Sequence, residues 1–343
     1  METGNLSRTE KKILKIIESS KGISASEIAK KLNLSRQAVH KHVVNLMKKN
    51  FIVKTGTTRN AKYIPYNKAP SVQEYKQRYK NHGLNEDYIF LEISAFLKLK
   101  TETNKNTYSI LNYAFTEMLN NAIDHSMSEY IDVKMAVLQN TVKFSIRDWG
   151  IGIYYSIKNK FNLQSETEAM IHLLKGKTTT MPDRHSGEGI FFTSKLCDTM
   201  VIRSHKLQLI IDNTVDDAFV SEKRNIKGTL IEFEIKRHSN RRIEAIFKKY
   251  SPEEYDYSFE KTTIKLKLVK PTYVSRSEAK RILMGLEKFR EITMDFKGVE
   301  NVGQGFIDEI FRVFKSKHPN IKIIPKNCNQ AVLSMIKHTE VDN

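Results

Sequence analysis

The sequence predicts a multi-domain α+β chain, and three observations carry that expectation. A length of 343 residues exceeds what one ordinary core organises, so two or three domains are expected. Phe115, Met118, Leu119, Ala122 and Ile123 recur at helical spacing. Segments 131–136 and 142–146 then alternate apolar and polar residues, as half-exposed antiparallel strands do. From residue 262 to residue 337 strands and helices take turns, the pattern of a small sheet with right-handed crossovers.

The first domain, residues 1–66, is set apart by charge. It holds fourteen Lys or Arg against four Asp or Glu, a net of ten out of a chain total of +18. Charge concentrated in a fifth of the chain points to a polyanionic partner, nucleic acid first. Residues 6–19 read as a helix capped by Ser7 or Thr9, with Ile13, Ile16 and Ile17 inward. A short helix over 23–32, the turn Asn33-Leu34-Ser35 and a helix over 36–49 follow, with Val39, Val43, Leu46 and Met47 inward. Two short helices joined by a tight polar turn form a helix-turn-helix. Phe51-Ile52-Val53 and Tyr63-Ile64-Pro65 flank a polar tip, as a two-stranded wing would. The arrangement is similar to winged-helix repressor domains, and the resemblance implies double-stranded DNA as partner. Ser35, Arg36, Gln37, His40 and Lys41 would then face base edges and phosphates, with Lys54, Arg59 and Lys62 on the wing tracking the backbone.

Residues 67–83, rich in Lys, Gln and Tyr, read as a linker, and 88–97 as a helix packed on the next domain, 84–250. A polar break at 98–106 precedes the long helix that carries Glu117 and Asn121. Four residues apart, these two stack on one side of the helix. An amide oxygen is a hard ligand for Mg2+, and a carboxylate can orient or deprotonate water, so the pair suits a Mg-nucleotide site.

Three more segments follow in order: Arg147-Asp148-Trp149-Gly150-Ile151-Gly152-Ile153 after a strand, His185-Ser186-Gly187-Glu188-Gly189-Ile190 opening a helix, and Lys227-Gly228-Thr229-Leu230 starting a strand. Backbone N–H groups of Ser186, Gly187, Glu188 and Gly189 at a helix start suit a phosphate. With the Glu117–Asp124 stretch, these segments resemble the four ATP-site motifs of the GHKL superfamily, whose core is an α/β sandwich. The resemblance implies ATP and Mg2+ as cofactors. It makes Glu117 the catalytic base, Asn121 the metal ligand and Asp124 a nucleotide contact. Asp148 would accept the adenine amino group, with Gly150 and Gly152 letting the backbone pass close to the base, and Thr229 would help hold adenine. It also implies a mobile lid over 154–184, where Lys175, Lys177 and Arg184 are candidates for triphosphate contact. Trp149, the single tryptophan, would report on nucleotide. Histidine kinases carry a phosphoacceptor helix before this domain. Here a winged helix stands in its place, and His125 lies inside the motif helix, so histidine autophosphorylation is not expected.

In the third domain, 260–340, strands over 262–268, 291–296 and 321–324 alternate with helices over 275–288, 306–314 and 331–337. Ile292 to Val299 followed by Gly303-Gln304-Gly305-Phe306 resembles a STAS-type domain, as in anti-sigma-factor antagonists. Those antagonists carry a phosphorylatable Ser where Gly303-Gln304-Gly305 stands. Transmission, dimerisation or a protein partner is therefore expected of this domain, rather than receipt of phosphate. Cys197 and Cys328 lack metal-type spacing and read as reduced thiols. The first ten residues are polar, and no apolar run reaches the ~18 residues of a membrane span, so a cytoplasmic protein without membrane contact is expected. The sum is a DNA-binding transcriptional regulator controlled by Mg-ATP, with homodimer formation open. An anti-sigma-type Ser/Thr kinase and a non-catalytic ATP sensor are the alternatives.

Overall fold

Serine caps set the start of the N-terminal helices. In the computed structural model, which describes residues 6–20, 22–49, 51–55, 61–65, 73–178, 187–256, 258–268 and 270–341, two compact units divide the chain at residue 72. In the first unit, α1 (Arg8–Glu18) and α2 (Ala25–Leu32) begin in full capping boxes, Ser7 with Glu10 and Ser24 with Glu27. α3 (Arg36–Lys48) starts on Ser35, and Asn33 ends α2 in the left-handed conformation that its short polar side chain tolerates. Strands β1 (Ile52–Thr55) and β2 (Lys62–Pro65) pair antiparallel as the wing. Ile13, Ile17, Ile28, Val39, Val43 and Leu46 are fully buried between them, while Ile16 and Met47 pack at the margin. Glu10 is buried too. Burial alone would raise its pKa, but the Ser7 backbone N–H, the Asn45 amide and Lys49 hold it below the usual value. Its carboxylate thereby ties α1 to α3.

In the second unit, β3 (Gln73–Lys80), β4 (Tyr130–Val137), β5 (Thr141–Asp148), β6 (Thr199–Asp212) and β7 (Asp217–Lys236) form an antiparallel sheet in the order β3-β4-β5-β7-β6. The segment 73–80, read as linker, is thus the edge strand, paired along its whole length with β4. Strand alternation divides the faces. Val133, Met135, Phe144, Ile146, Ile231 and Phe233 are buried under helices, while Lys134–Glu74, Lys143–Glu234 and Arg78–Asp132 ion pairs line the open face. The helical layer holds α4 (Glu86–Phe96), the short α5 (Leu99–Glu102), α6 (Lys105–His125), α7 (Ile153–Lys160), α8 (Glu166–Lys175), α9 (Gly189–Leu196) and α10 (Ile243–Tyr250). The segment 154–184, expected as a lid, is helical over most of its described length, as α7 and α8. Tyr154, Ile157, Ala169, Met170 and Leu173 lie in the core. Its remainder, 179–184, lies outside the described residues.

Strand β7 begins at Asp217, ten residues before the expected start at Lys227, and β6 pairs with it through a register shift at His205. The far end of this hairpin reaches the C-terminal domain, where Lys265 meets Asp216 at 3.1 Å and Lys267 meets Asp217 at 2.6 Å. That domain has a parallel sheet, β12-β10-β8 in order, built from β8 (Lys261–Lys265), β10 (Glu291–Asp295) and β12 (Lys322–Lys326). A short parallel pair joins β9 (Thr272–Tyr273) to β11 (Asn301–Val302). Its helices are α11 (Arg276–Leu283), α12 (Gln304–Asp308), which continues through a π-helical turn into α13 (Lys315–Lys317), and α14 (Gln330–Val341). Phe191 and Phe192 of α9 are buried in the core of this domain, with Phe192 stacked on Phe247 at 4.0 Å. Two domains therefore share one helix. Among the described residues no helix is long and apolar enough to cross a membrane.

A buried histidine at the seam makes stability pH-dependent. His172 stacks on Phe161 and its Nδ1 lies 3.2 Å from Thr178 Oγ1. Burial first, then Lys175 and Lys288, push its pKa down from 6.5 to about 4. Below pH 6.5 the unfolded chain takes up a proton that the folded chain refuses. Stability is therefore full above about pH 6.5 and falls as pH drops toward about 4, by up to about 3 kcal/mol. Thermal melts between pH 7.5 and 4.5, run beside His172→Gln, check this; equal slopes for the two proteins refute it.

Candidate nucleotide-binding site

The centre of the site is a buried carboxylate. Asp148 ends β5 with 5% of its surface exposed, and its Oδ1 accepts from the backbone N–H groups of Gly150 at 2.9 Å and Thr229 at 3.1 Å. Burial pushes its pKa up, while these N–H groups, the Thr229 side chain and Arg147 pull it back. Gly228, at φ +73°, is what lets β7 approach: a Cβ there would lie 2.5 Å from Asp148 Oδ1 and 2.4 Å from Asp148 O. The Thr229 hydroxyl accepts from Ile153 N at 3.0 Å, which fixes the start of α7 beside the same carboxylate.

The long helix is held against this turn. Ser126, at the end of α6, accepts from Ile151 N at 2.9 Å, and a Cβ on Gly150 would lie 1.7 Å from the same carbonyl oxygen. Gly150 therefore serves the contact between helix and turn and does not border the cavity. Gly152 does border it. The other face of α6 meets the start of α9, where a Cβ on Gly189 would lie 1.9 Å from Glu117 Oε2. A larger residue there would push the Glu117 carboxylate out of its present position. Glu188 packs close by; burial first, with Glu117 and Glu260 adding to it and Lys177 opposing, raises its pKa. Gly187, at φ +76°, lies against the backbone of Thr178, and its carbonyl oxygen accepts from Thr178 N at 3.3 Å.

Between these elements lies a cavity of about 310 Å3. Its polar wall includes Glu117, Asn121, Asp148 and Thr229, with Gly187 and Gly189 at the helix opening; Ile146, Ile157 and Ile231 form apolar wall. Segments more than a hundred residues apart in sequence thus converge on one space. The cavity is of the size and mixed polarity that small-ligand sites have.

Other expected residues lie elsewhere. Asp124 is half-buried on α6, and neither it nor Glu188 borders the cavity. Ser186 and Arg184 fall outside the described residues. Lys175 and Lys177 turn away from the cavity. Lys175 is buried, donates to Met284 O at 2.8 Å, and is pushed by burial down to about 7; Lys177 donates to Lys288 O at 2.9 Å and pairs with Glu260. Trp149 points onto the open face of the sheet. There it lies under Arg147 at 4.6 Å and bonds Asp132, so it does not border the cavity as a nucleotide reporter would. Among the lining residues missed in the sequence, Ile153, Ser156 and Ile157 belong to α7. Its Tyr154, Ile157 and Phe161 repeat at helical spacing and could have revealed it.

In the basic domain, Arg36, Gln37, His40 and Lys41 are exposed along the first half of α3, and Lys54 and Lys62 are exposed on the wing. Ser35 is used as a cap, accepting from Ala38 N at 3.2 Å, so it is committed to the helix start. Arg59 lies outside the described residues.

Residues 89–212, from α4 to the end of β6, match the family model of the histidine kinase-like ATPase domain. The central domain belongs to this ATPase family. The match spans Glu117, Asn121, Asp148 and the Gly187–Gly189 helix opening of the histidine kinase-like ATPase domain, and Thr229 follows it on β7. On its N-terminal side, residues 6–53 match a winged helix-turn-helix DNA-binding model. On its C-terminal side, residues 278–333 match a STAS-like domain of unknown function. No curated protein matches the chain. Among solved structures it is similar to the Thermotoga maritima IclR at 13% identity and a TM-score of 0.15, covering 81% of this chain and 97% of that one. A TM-score so low carries no argument about this ATPase-domain protein.

Proposed function

We propose that this protein is an ATP-responsive DNA-binding transcriptional regulator whose ATPase domain, on taking up Mg-ATP, changes how the chain holds DNA. The observation that supports it is the convergence of Glu117, Asn121, Asp148, Thr229 and two close-packed glycines on one cavity. In this reading Asp148 accepts from the adenine amino group, with the apolar wall against the ring. Amide groups at the start of α9 hold phosphate, and Asn121 gives Mg2+ an oxygen ligand. Bound Mg2+ would supply charge neutralisation at the phosphates. Among the described residues no group of three or more His, Cys, Asp or Glu could hold a metal on its own, which fits a cation carried mainly by the nucleotide. Glu117 would orient or deprotonate a water.

Transmission has a physical route inside the second unit. The helix start at Gly189 borders the cavity, while Phe191 and Phe192 of that helix sit in the C-terminal core. Thr178 borders the cavity as well, and the segment just before it is bonded to the C-terminal domain through Lys175, Lys177 and Thr262. Occupancy of the cavity would therefore be felt by the STAS-like domain. That domain is the proposed site for a protein partner or a second copy. A Cβ on Gly303 would lie 2.7 Å from Val274 O, so packing as well as sequence argues against a phosphoacceptor at the start of α12.

The test has two parts. Duplexes selected from a random library are titrated by fluorescence anisotropy with and without Mg-ATP. Arg36→Ala is expected to weaken binding by about 1–3 kcal/mol, and ATP to shift the affinity of the unaltered protein. Identical titrations with and without nucleotide refute the control, and an unchanged Arg36→Ala removes α3 from the groove. Labelled ATP then separates the chemistries: label on a protein marks a Ser/Thr kinase, free phosphate an ATPase, and neither a non-catalytic sensor.

A further inference from the structure

A second cavity, of about 240 Å3, shares no lining residue with the first and lies where α9, the β6–β7 hairpin and β8 of the C-terminal domain meet. Ile171, Ile211, Ile246, Ile264 and Leu268 give it an apolar wall. Its charged wall is unbalanced. Asp216 is taken by Lys265 at 3.1 Å and Asp217 by Lys267 at 2.6 Å, while Arg241 is spent on Asp198 and on the carbonyl oxygens of Lys195 and Cys197. Two cations remain. Among the described residues Lys195 Nζ has neither hydrogen bond nor ion pair; its neighbours are the rings of Phe191 at 5.1 Å and Tyr250 at 5.9 Å. Lys249 lies over Tyr250 at 5.4 Å.

Lys195 is partly exposed, and its ammonium lies against aromatic faces, a placement that leaves it open to an acid group entering the cavity. Burial first, then Lys265 and Lys249, push the Lys195 pKa down to about 8, opposed by Cys197 and Asp216. An incoming anion would give the Lys195 and Lys249 ammonium groups a counter-charge. We propose that this cavity is a second ligand site, taking a small organic anion whose apolar body lies on the isoleucines and whose acid group meets Lys195 and Lys249. A cavity of roughly 150 Å3 already accepts a benzene ring, so the space here holds one ring and a phosphate or carboxylate. Such an occupant would bridge the ATPase domain and the STAS-like domain, acting as an effector of their joint.

The experiment is calorimetry on the full chain with phenyl phosphate and, separately, phenylacetate, each with and without saturating Mg-ADP. At least one probe is expected to bind whether or not ADP is present, and which one binds identifies the acid group. Lys195→Met, which keeps the stem and removes the charge, is expected to lower the affinity tenfold or more, about 1.4 kcal/mol. Ala218→Leu, which fills the wall without touching a charge, is expected to block the site, with thermal melts confirming that both variants fold. Should Ala218→Leu not fold, Lys195→Met alone decides. Absence of heat from both probes up to about 10 mM, well into the weak-binding range, overturns the proposal. So does Lys195→Met binding as the unaltered protein does, or loss of probe binding when ADP is added. Because Lys195→Met locates the site without any nucleotide, failure of the ATP reading leaves this result interpretable.

Discussion

Asp148→Asn is expected to cost about a hundredfold in ATP affinity while leaving the fold largely intact. Asp148 Oδ1 accepts from two backbone N–H groups, and an amide oxygen can take over that duty. The second carboxylate oxygen becomes an NH2, which opposes the adenine amino group with a donor. Losing a charge-assisted hydrogen bond in a buried site and leaving donors face to face is worth about 2–4 kcal/mol. Guanine presents an acceptor, O6, where adenine presents its amine. The same variant is therefore expected to lose its preference for ATP over GTP. Calorimetric titration with both nucleotides measures this, and an unchanged ATP affinity would remove Asp148 from the base-reading role. If neither ATP, ADP nor a non-hydrolysable analogue gives heat with the unaltered protein at millimolar concentration, the whole nucleotide reading falls.

Glu117→Ala is expected to lower ATP turnover by at least about a hundredfold, the usual contribution of a positioned general base, with ATP affinity close to unchanged. The expectation rests on position. Glu117 borders the cavity one helical turn from Asn121, and the start of α9 at Gly189 lies against it. Truncation there removes a like charge from beside Glu188, so binding does not suffer from the loss. Steady-state phosphate release and equilibrium binding, measured on the same preparation, separate the two effects. Turnover that persists in the variant assigns the water to another group. Glu188, whose carboxylate is raised by burial and by Glu117, is the nearest alternative.

Much of this was legible locally. Ser7 and Ser35 announce helix starts because a hydroxyl three residues before an orphan N–H caps it wherever the helix is placed. The Glu117–Asn121 pair could be assigned to one helix side because 3.6 residues per turn allows no other outcome. Asp148, Gly187, Gly189 and Thr229 could be named because the segments that carry them, in that order and spacing, resemble the ATP-site motifs of the GHKL superfamily. Residues 73–80 could not be placed as a strand, since an edge strand with Glu74, Lys76, Arg78 and Lys80 alternating along it has the composition of a linker.

What the sequence determined by itself, then, is the succession of domains and the residue types at the cavity, because periodicity, caps and glycine-flanked turns act over a few residues. Tertiary structure decided which way each side chain is spent. Lys175 and Lys177 carry charge suited to phosphate, yet burial and the carbonyl oxygens of Met284 and Lys288 draw them to the C-terminal domain. Gly150 looks like a base-side glycine, yet the Ser126 carbonyl occupies the space that a Cβ would need. Lys195 reads as an ordinary helix lysine, and only the meeting of α9, the hairpin and β8 encloses it in a cavity. Such outcomes depend on contacts across a hundred residues or more, where packing and desolvation, not local pattern, set the free energy.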